Sequence, residues 1–186
     1  MTRIHVIQPE NAEGRLKEIY KEIEQKRGQL AEVHKIQSLR PESIVKHIDL
    51  YMEIMFSKSE LSRAQREMIA VVVSVANQCS YCATHHGSAL LHYWKDLEKV
   101  ALLKSNFHKL ALSEKEMALC EFAKTLTLHP ETNNQDDITQ KLKTLNLSDS
   151  AILDATLVVS YFNFVNRMVL TLGVSLETDG GKNYKY

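Results

Sequence analysis

The sequence predicts an all-helical protein, and three observations support this fold class. Only 6 glycines and 3 prolines occur among the 186 residues, so few positions force the chain to turn. Apolar residues recur at spacings of three and four along much of the chain, which is the period of an amphipathic helix. Serines stand where several of these patterns begin, and serine is a favoured helix N-cap. We therefore expect a bundle of long helices.

The composition fits one globular domain with a core of its own, because 44% of the residues are hydrophobic and 25% are charged. We predict a single domain over residues 1–178. The last residues, 179–186, begin with Asp179-Gly180-Gly181 and are expected to form an exposed C-terminal arm.

The charge balance argues against a nucleic-acid or membrane partner. Lys and Arg together number 23, as do Asp and Glu, so no net positive field would gather phosphates. No signal peptide and no run of about 18 apolar residues is apparent, which favours a cytoplasmic protein. Three cysteines without a secretory signal do not make a disulfide framework, and a close pair in a reducing compartment is more often catalytic or metal-binding.

The first helix is predicted over residues 11–27, with Gly28 after its end. Its apolar stripe, spaced three and four apart, consists of Leu16, Ile19, Tyr20 and Ile23. No helix or strand is assigned to residues 29–40. Apolar residues recur there every three residues, whereas Pro41 restricts the residue before it to an extended conformation. Pro41 is then expected to open the next helix as its first residue.

A central, largely buried helix is predicted from Ser62, which forms a capping-box pattern with Gln65. Asn77-Gln78 interrupts it, and a new helix is expected from near Cys79 to Trp94. Further helices are predicted at about 95–104, 113–128 and 136–145. The last, from Ser148 to about Leu172, is apolar on nearly every side, which indicates a core helix or one also covered by a partner subunit.

The strongest chemical signal is the pair Cys79 and Cys82, separated by two residues and followed by His85-His86. At a helix start, the helix dipole favours the thiolate, and the two sulfurs are close enough to close a small disulfide loop. His86 is four residues from Cys82 and shares its helix face, whereas His85 points partly elsewhere and could serve packing or the surface.

Two alternatives remain open from the residues alone. Glu67, on the preceding helix, is either an exposed residue or a partly buried carboxylate that faces the imidazole in a proton relay. The cysteines and His86, with His85 or Glu67, could also bind zinc, although no second pair of ligands with knuckle spacing is present. Cys120 is interpreted as a small core residue.

Glu67, Cys79-x-x-Cys82 and His86 together resemble the motif of the alkylhydroperoxidase D-like proteins of the carboxymuconolactone decarboxylase superfamily. The motif core spans about residues 41–174. Residues 161–167 and 172–174 are similar to the branch usually labelled peroxidase-related.

The resemblance implies an alkylhydroperoxidase D-like helical bundle that assembles as a homo-oligomer, either a trimer or a hexamer. It implies cysteine-based peroxidase activity on a hydroperoxide, without a metal, a haem or another cofactor. The implied roles are Cys82 as the attacking thiol, Cys79 as the resolving thiol, and Glu67 with His86 as the proton relay. A dithiol reductant is also implied, such as a lipoyl-bearing or thioredoxin-like protein.

One position departs from the better-known alkylhydroperoxidase D proteins, which have a histidine between the cysteines where this chain has Tyr81. A phenol can hydrogen-bond a peroxide oxygen but is a poor base near neutral pH. We therefore treat Tyr81 and His85 as auxiliary candidates. In other C-x-x-C proteins the first cysteine is commonly the nucleophile, but proximity to His86 favours Cys82. The alternative functions are a redox sensor or interaction protein and, less favoured, a zinc-binding protein.

Overall fold

The computed structural model describes residues 2–134 and 137–177, and within them every regular element is helical. The helices are α1 (Gly14–Arg27), α2 (Glu32–Lys35), α3 (Pro41–Phe56), α4 (Arg63–Ala76), α5 (Ser80–Trp94), α6 (Leu97–Asn106), α7 (Glu114–Leu128), α8 (Gln140–Thr144) and α9 (Asp149–Leu172). Short 3-10 turns lie at Pro9–Asn11, Phe107–Lys109 and Pro130–Asn134. The predicted all-α fold class is confirmed.

The described residues divide into two compact units. The terminal unit contains the residues up to Glu53 and those from Arg167 onward, and the central unit is Ile54–Asn166. The prediction of one domain over residues 1–178 stays a prediction. The predicted arm, 179–186, lies outside the described residues.

The terminal unit has a small apolar core that α1 supplies through one face. The stripe predicted from the sequence is buried, and it packs with Ala12, Leu30 and Ile44. Gly28 ends α1 with a left-handed φ of 78°, and its N–H donates to Glu24 O. Within the segment left open, 29–40, the structure places the short helix α2.

The central unit is built around α4, which packs against α5 and α7. Every residue from Arg66 to Ser74 is buried, as the apolar character of this segment predicted. Gln78 has a left-handed φ of 57° between α4 and α5, where the sequence indicated an interruption. This short connection brings the start of α5 next to α4.

The other predicted helices differ from the observed ones mainly at their ends. α6 begins at Leu97 rather than near 95, because the Asp96 side chain accepts a hydrogen bond from Lys99 N and caps the helix. α8 is shorter than the predicted 136–145. Ser148 lies directly before α9, and its Oγ accepts a hydrogen bond from Ala151 N at 3.1 Å.

Among the described residues, α9 is the one helix with the length and apolar composition needed to cross a membrane. The core helix of a soluble protein passes the same test, so this property is weak evidence. Part of α9 is engaged inside the central unit, where Asn163 and Asn166 both accept hydrogen bonds from Asn77 Nδ2 at 3.0 Å.

Candidate active site

The first turn of α4 is fixed by a complete capping box. Ser62 Oγ accepts a hydrogen bond from Gln65 N at 3.2 Å, and Gln65 Oε1 accepts one from Ser62 N at 2.9 Å. Residues four apart on a helix share a face, so this start places Arg63 and Glu67 side by side.

Glu67 is a fully buried carboxylate with two charged or polar neighbours. Arg63 Nη2 lies 2.6 Å from one carboxylate oxygen, and His86 Nδ1 lies 2.7 Å from the other. A buried charge is tolerated only when it is paired and hydrogen-bonded, and both conditions are met here. Glu67 therefore faces the imidazole, as one of the two interpretations from the sequence required, and does not lie on an exposed stripe.

Arg63 is a site residue that the sequence analysis missed. Its Nη1 donates to Met55 O at 2.6 Å, and its guanidinium lies 3.6 Å from the centre of the Phe56 ring. These contacts hold the cation against Glu67 from within the central unit. The i, i+4 spacing of Arg63 and Glu67 was the signal available in the sequence.

The hydrogen bond with Glu67 sets the orientation and the tautomer of His86. An ionised carboxylate can only accept a hydrogen bond, so Nδ1 carries the proton and Nε2 is the nitrogen that can accept another. The imidazole also packs edge-on against Phe162, with 4.4 Å between the ring centres. The ring is thus held from two sides.

The two cysteines lie at the start of α5, with Cys79 as the N-cap residue and Cys82 in the first turn. Both are reduced and buried, with 1% and 2% of their surface exposed. A hydrogen bond from the Cys82 thiol lowers the pKa of Cys79, and the same interaction raises the pKa of Cys82 well above its usual value. When the pair loses one of its two protons, the negative charge is therefore favoured on Cys79 and the remaining proton on Cys82.

Asn166 is a second neighbour of the dithiol that sequence reasoning missed. Its side chain is fully buried and hydrogen-bonds Cys82, which works against the rise in the pKa of that thiol caused chiefly by Cys79. Asn77 Nδ2 donates to Asn166 Oδ1, and Asn166 Nδ2 donates to Ser74 Oγ at 3.3 Å. Because Asn166 lies far along the chain from the motif, no local spacing could indicate this contact.

The auxiliary candidates Tyr81 and His85 are both buried on α5. Their rings contact each other with 4.6 Å between centres and a tilt of 45°. His85 therefore packs inside the protein and not on its surface. The catalytic roles of Tyr81 and His85 stay predictions.

Cys120 is fully buried on α7, where burial raises the pKa of its thiol to about 12, as befits a core residue. Over residues 2–134 and 137–177, no group of three or more His, Cys, Asp or Glu side chains is placed to hold a metal ion. Metal analysis of the purified protein would test the zinc-binding alternative.

The central part of the chain matches a known family. The model of the carboxymuconolactone decarboxylase family matches residues 44–125, a range that includes Glu67, both cysteines of the pair and His86. Among curated proteins, the uncharacterized protein YdfG of Bacillus subtilis (strain 168) is 24% identical over 122 residues. That alignment covers 66% of this chain and 82% of YdfG.

Three solved structures share the fold over nearly the whole chain. An uncharacterized peroxidase-related protein from Ralstonia eutropha JMP134, with an alkylhydroperoxidase AhpD core, has a TM-score of 0.85 and 22% identity, covering 98% of this chain and 96% of that one. A peroxidase-related protein from Silicibacter sp. TM1040 has a TM-score of 0.83 and 24% identity, covering 98% and 99%. The debrominase Bmp8 has a TM-score of 0.78 and 20% identity, covering 98% and 96%.

Proposed function

We propose that this chain, which belongs to the carboxymuconolactone decarboxylase superfamily and has the alkylhydroperoxidase D-like fold, is a thiol-dependent peroxidase. It would reduce a hydroperoxide to an alcohol and form a Cys79–Cys82 disulfide. The observation that carries the proposal is the buried Arg63–Glu67–His86 chain of contacts, with His86 on the helix that begins at two hydrogen-bonded thiols.

The first step is attack on the peroxide by the Cys82 thiolate. One of the two thiol protons of the pair goes to Nε2 of His86, and Glu67 stabilises the imidazolium. Although the charge that remains on the pair favours Cys79, the hydrogen bond between the sulfurs allows the remaining proton to move to Cys79, which leaves the thiolate on Cys82. Cys82 then takes the terminal peroxide oxygen and becomes a sulfenic acid. The alkoxide that leaves is protonated by His86.

The second step closes the disulfide. Cys79 attacks the sulfenic sulfur of Cys82, and the hydroxyl group leaves with the Cys79 proton as water. One hydroperoxide and two thiols thus give one alcohol, one water and one disulfide. A dithiol reductant, such as a lipoyl group or a thioredoxin-like protein, would reduce the disulfide back to the dithiol. The proposed location is the cytoplasm, a compartment that keeps thiols reduced.

Steady-state turnover tests this function directly. Consumption of tert-butyl hydroperoxide would be followed with dihydrolipoamide, thioredoxin or glutathione as the reductant. We expect multiple turnovers with at least one of the two dithiols and loss of turnover in Cys82→Ser. If only one equivalent of peroxide reacts per chain with every reductant, the protein is a redox sensor and not a peroxidase.

Debromination is a second candidate, because Bmp8 shares the fold and its cysteine-to-alanine variant was solved in complex with 2,3,4-tribromopyrrole. A dithiol can replace an aryl bromine with hydrogen, so that two thiols become a disulfide and bromide leaves with a proton. The same assay with 2,3,4-tribromopyrrole in place of peroxide distinguishes the two candidate activities, with bromide release as the measurement.

Assembly into a trimer or hexamer is part of the proposal. Leu153 and Leu157 lie one turn apart on α9, with 56% and 41% of their surfaces exposed, and such apolar faces are typical of interfaces between subunits. Light scattering coupled to gel filtration would measure the mass. A Leu157→Lys variant is expected to shift the protein toward the monomer.

A further inference from the structure

A pocket of about 340 Å³ opens in the central unit, against the C-terminal half of α4 and beyond Glu67 along that helix. Its apolar lining comes from α4, α6 and the 3-10 turn after α6, and consists of Val72, Val75, Ala76, Leu103 and Phe107. This volume lies in the range of small-molecule sites, which are mostly apolar with a few placed polar groups.

The polar side of the pocket is cationic. Lys104, Lys124 and His108 line it, and none of its described lining residues carries a carboxylate. The pocket therefore combines cationic side chains with an apolar wall. Such a combination suits a ligand that carries one negative charge on an apolar body.

The position of Lys104 is constrained by its packing against α5. Its aliphatic chain lies over Gly87 of α5, where a Cβ would overlap Lys104 Cε and Nζ while Val100 Cγ1 lies 3.6 Å away. Gly87 thus provides the space in which the lysine is seated. Partial burial lowers the pKa of Lys104, since desolvation disfavours its charged form. An anion in the pocket would offset that cost.

The pocket and the dithiol use different faces of α4. Glu67 and Ser74 are seven residues apart and share the face toward the dithiol, whereas Val72, Val75 and Ala76 lie about 80° or more around the helix from Glu67. A ligand in the pocket would therefore contact a different face of α4 from the face toward the reacting sulfurs.

We propose that this pocket is a binding site for a small organic carboxylate. The carboxylate pairs with Lys104, with Lys124 as a second cation. The apolar part of the ligand rests on the α4 face and on Phe107. This inference does not depend on the peroxidase chemistry of the cysteines.

The probe is hexanoate, and isothermal titration calorimetry measures its binding to the whole protein. We expect saturable binding of one hexanoate per chain that weakens as ionic strength rises. Hexan-1-ol, which lacks the charge, and inorganic phosphate, which lacks the tail, are each expected to bind at least about tenfold more weakly, a loss comparable to one charge-assisted contact.

Two variants test the role of Lys104 independently. Lys104→Gln removes the charge, and Gly87→Ala displaces the end of a flexible side chain while favouring the helix, so the protein is expected to fold. Both should weaken hexanoate binding by about tenfold. Lys21→Gln, an exposed lysine on α1, is the matched control and should bind like the wild type.

A Cys82→Ser variant should bind hexanoate normally, so failure of the peroxidase proposal and failure of this one give different results. The inference is overturned if the wild type shows no saturable binding. It is also overturned if hexan-1-ol or phosphate binds as tightly as hexanoate, or if Lys104→Gln leaves the affinity unchanged.

Discussion

Nδ1 of His86 lies 2.7 Å from Oε2 of Glu67, and the Glu67 side chain is fully buried. The charge of this carboxylate is balanced by Arg63 on its other oxygen. An imidazole held in this way has a fixed tautomer, and a charged imidazolium is stabilised when it forms. The functional proposal depends on this arrangement more than on any other contact.

Glu67→Gln should slow peroxide turnover. The amide keeps the shape of the side chain but cannot stabilise an imidazolium by charge, so we expect kcat/KM to fall by about 100-fold, the lower range for loss of acid–base assistance. Steady-state assays would compare this variant with Glu22→Gln, an exposed carboxylate on α1. Full activity in Glu67→Gln would contradict the proton-relay role and leave Glu67 with a structural role only.

Arg63 should stabilise the fold mainly through its pairing with Glu67. Removing one partner of a buried ion pair leaves the other uncompensated, so Arg63→Met should lower the free energy of unfolding by about 3 kcal/mol. In the double variant with Glu67→Gln, the loss should be smaller than the sum of the two single losses. Urea unfolding measures all four proteins, and additive losses would show that the two side chains are not coupled.

The order of attack at the dithiol can be read by trapping. Because Cys79→Ser removes the resolving thiol, its Cys82 sulfenic acid should persist after peroxide and react with dimedone. In Cys82→Ser, labelling of Cys79 should be much slower. Mass spectrometry of the labelled peptides measures both. If Cys79 in Cys82→Ser is labelled faster than Cys82 in Cys79→Ser, the attack would be assigned to Cys79, the thiol with the lowered pKa.

The sequence predicted the local features of this fold well, because their causes are local. Ser62 with Gln65 and Ser113 with Glu116 form complete capping boxes in the structure, and both pairs are three residues apart. Gly28 ends its helix in a left-handed conformation that few other residues adopt easily.

Features that depend on tertiary contacts were harder to predict. Asn166 meets Cys82 only because α9 packs near the start of α5, and 83 residues separate them in the chain. The burial of Glu67 could not be decided from its apolar neighbours, since most glutamates are exposed. The charge distribution between the two thiols also required their geometry, because it arises from one hydrogen bond.

His47, in the terminal unit, should make stability depend on pH. It is 7% exposed, its Nδ1 lies 2.7 Å from Gln37 Nε2, and burial lowers its pKa from 6.5 to about 4. Between these values the unfolded chain binds more protons than the folded one, so stability falls as the pH falls through this window. The full effect amounts to about 3 kcal/mol.

The pH dependence of urea unfolding between pH 7 and about 4 tests the role of His47. In His47→Gln the stability should change less over this range, because the group responsible for proton uptake is absent. His5→Gln, at an exposed position, is the control and should follow the wild type. An equal slope in His47→Gln and the wild type would contradict the assignment.

The most direct test of the two-electron thiol mechanism is a count of thiols after one equivalent of tert-butyl hydroperoxide. The reduced chain has three cysteines. After reaction and unfolding, we predict that one thiol per chain remains, on Cys120, and that peptide mapping finds a disulfide between Cys79 and Cys82. Retention of all three titratable thiols would contradict the mechanism.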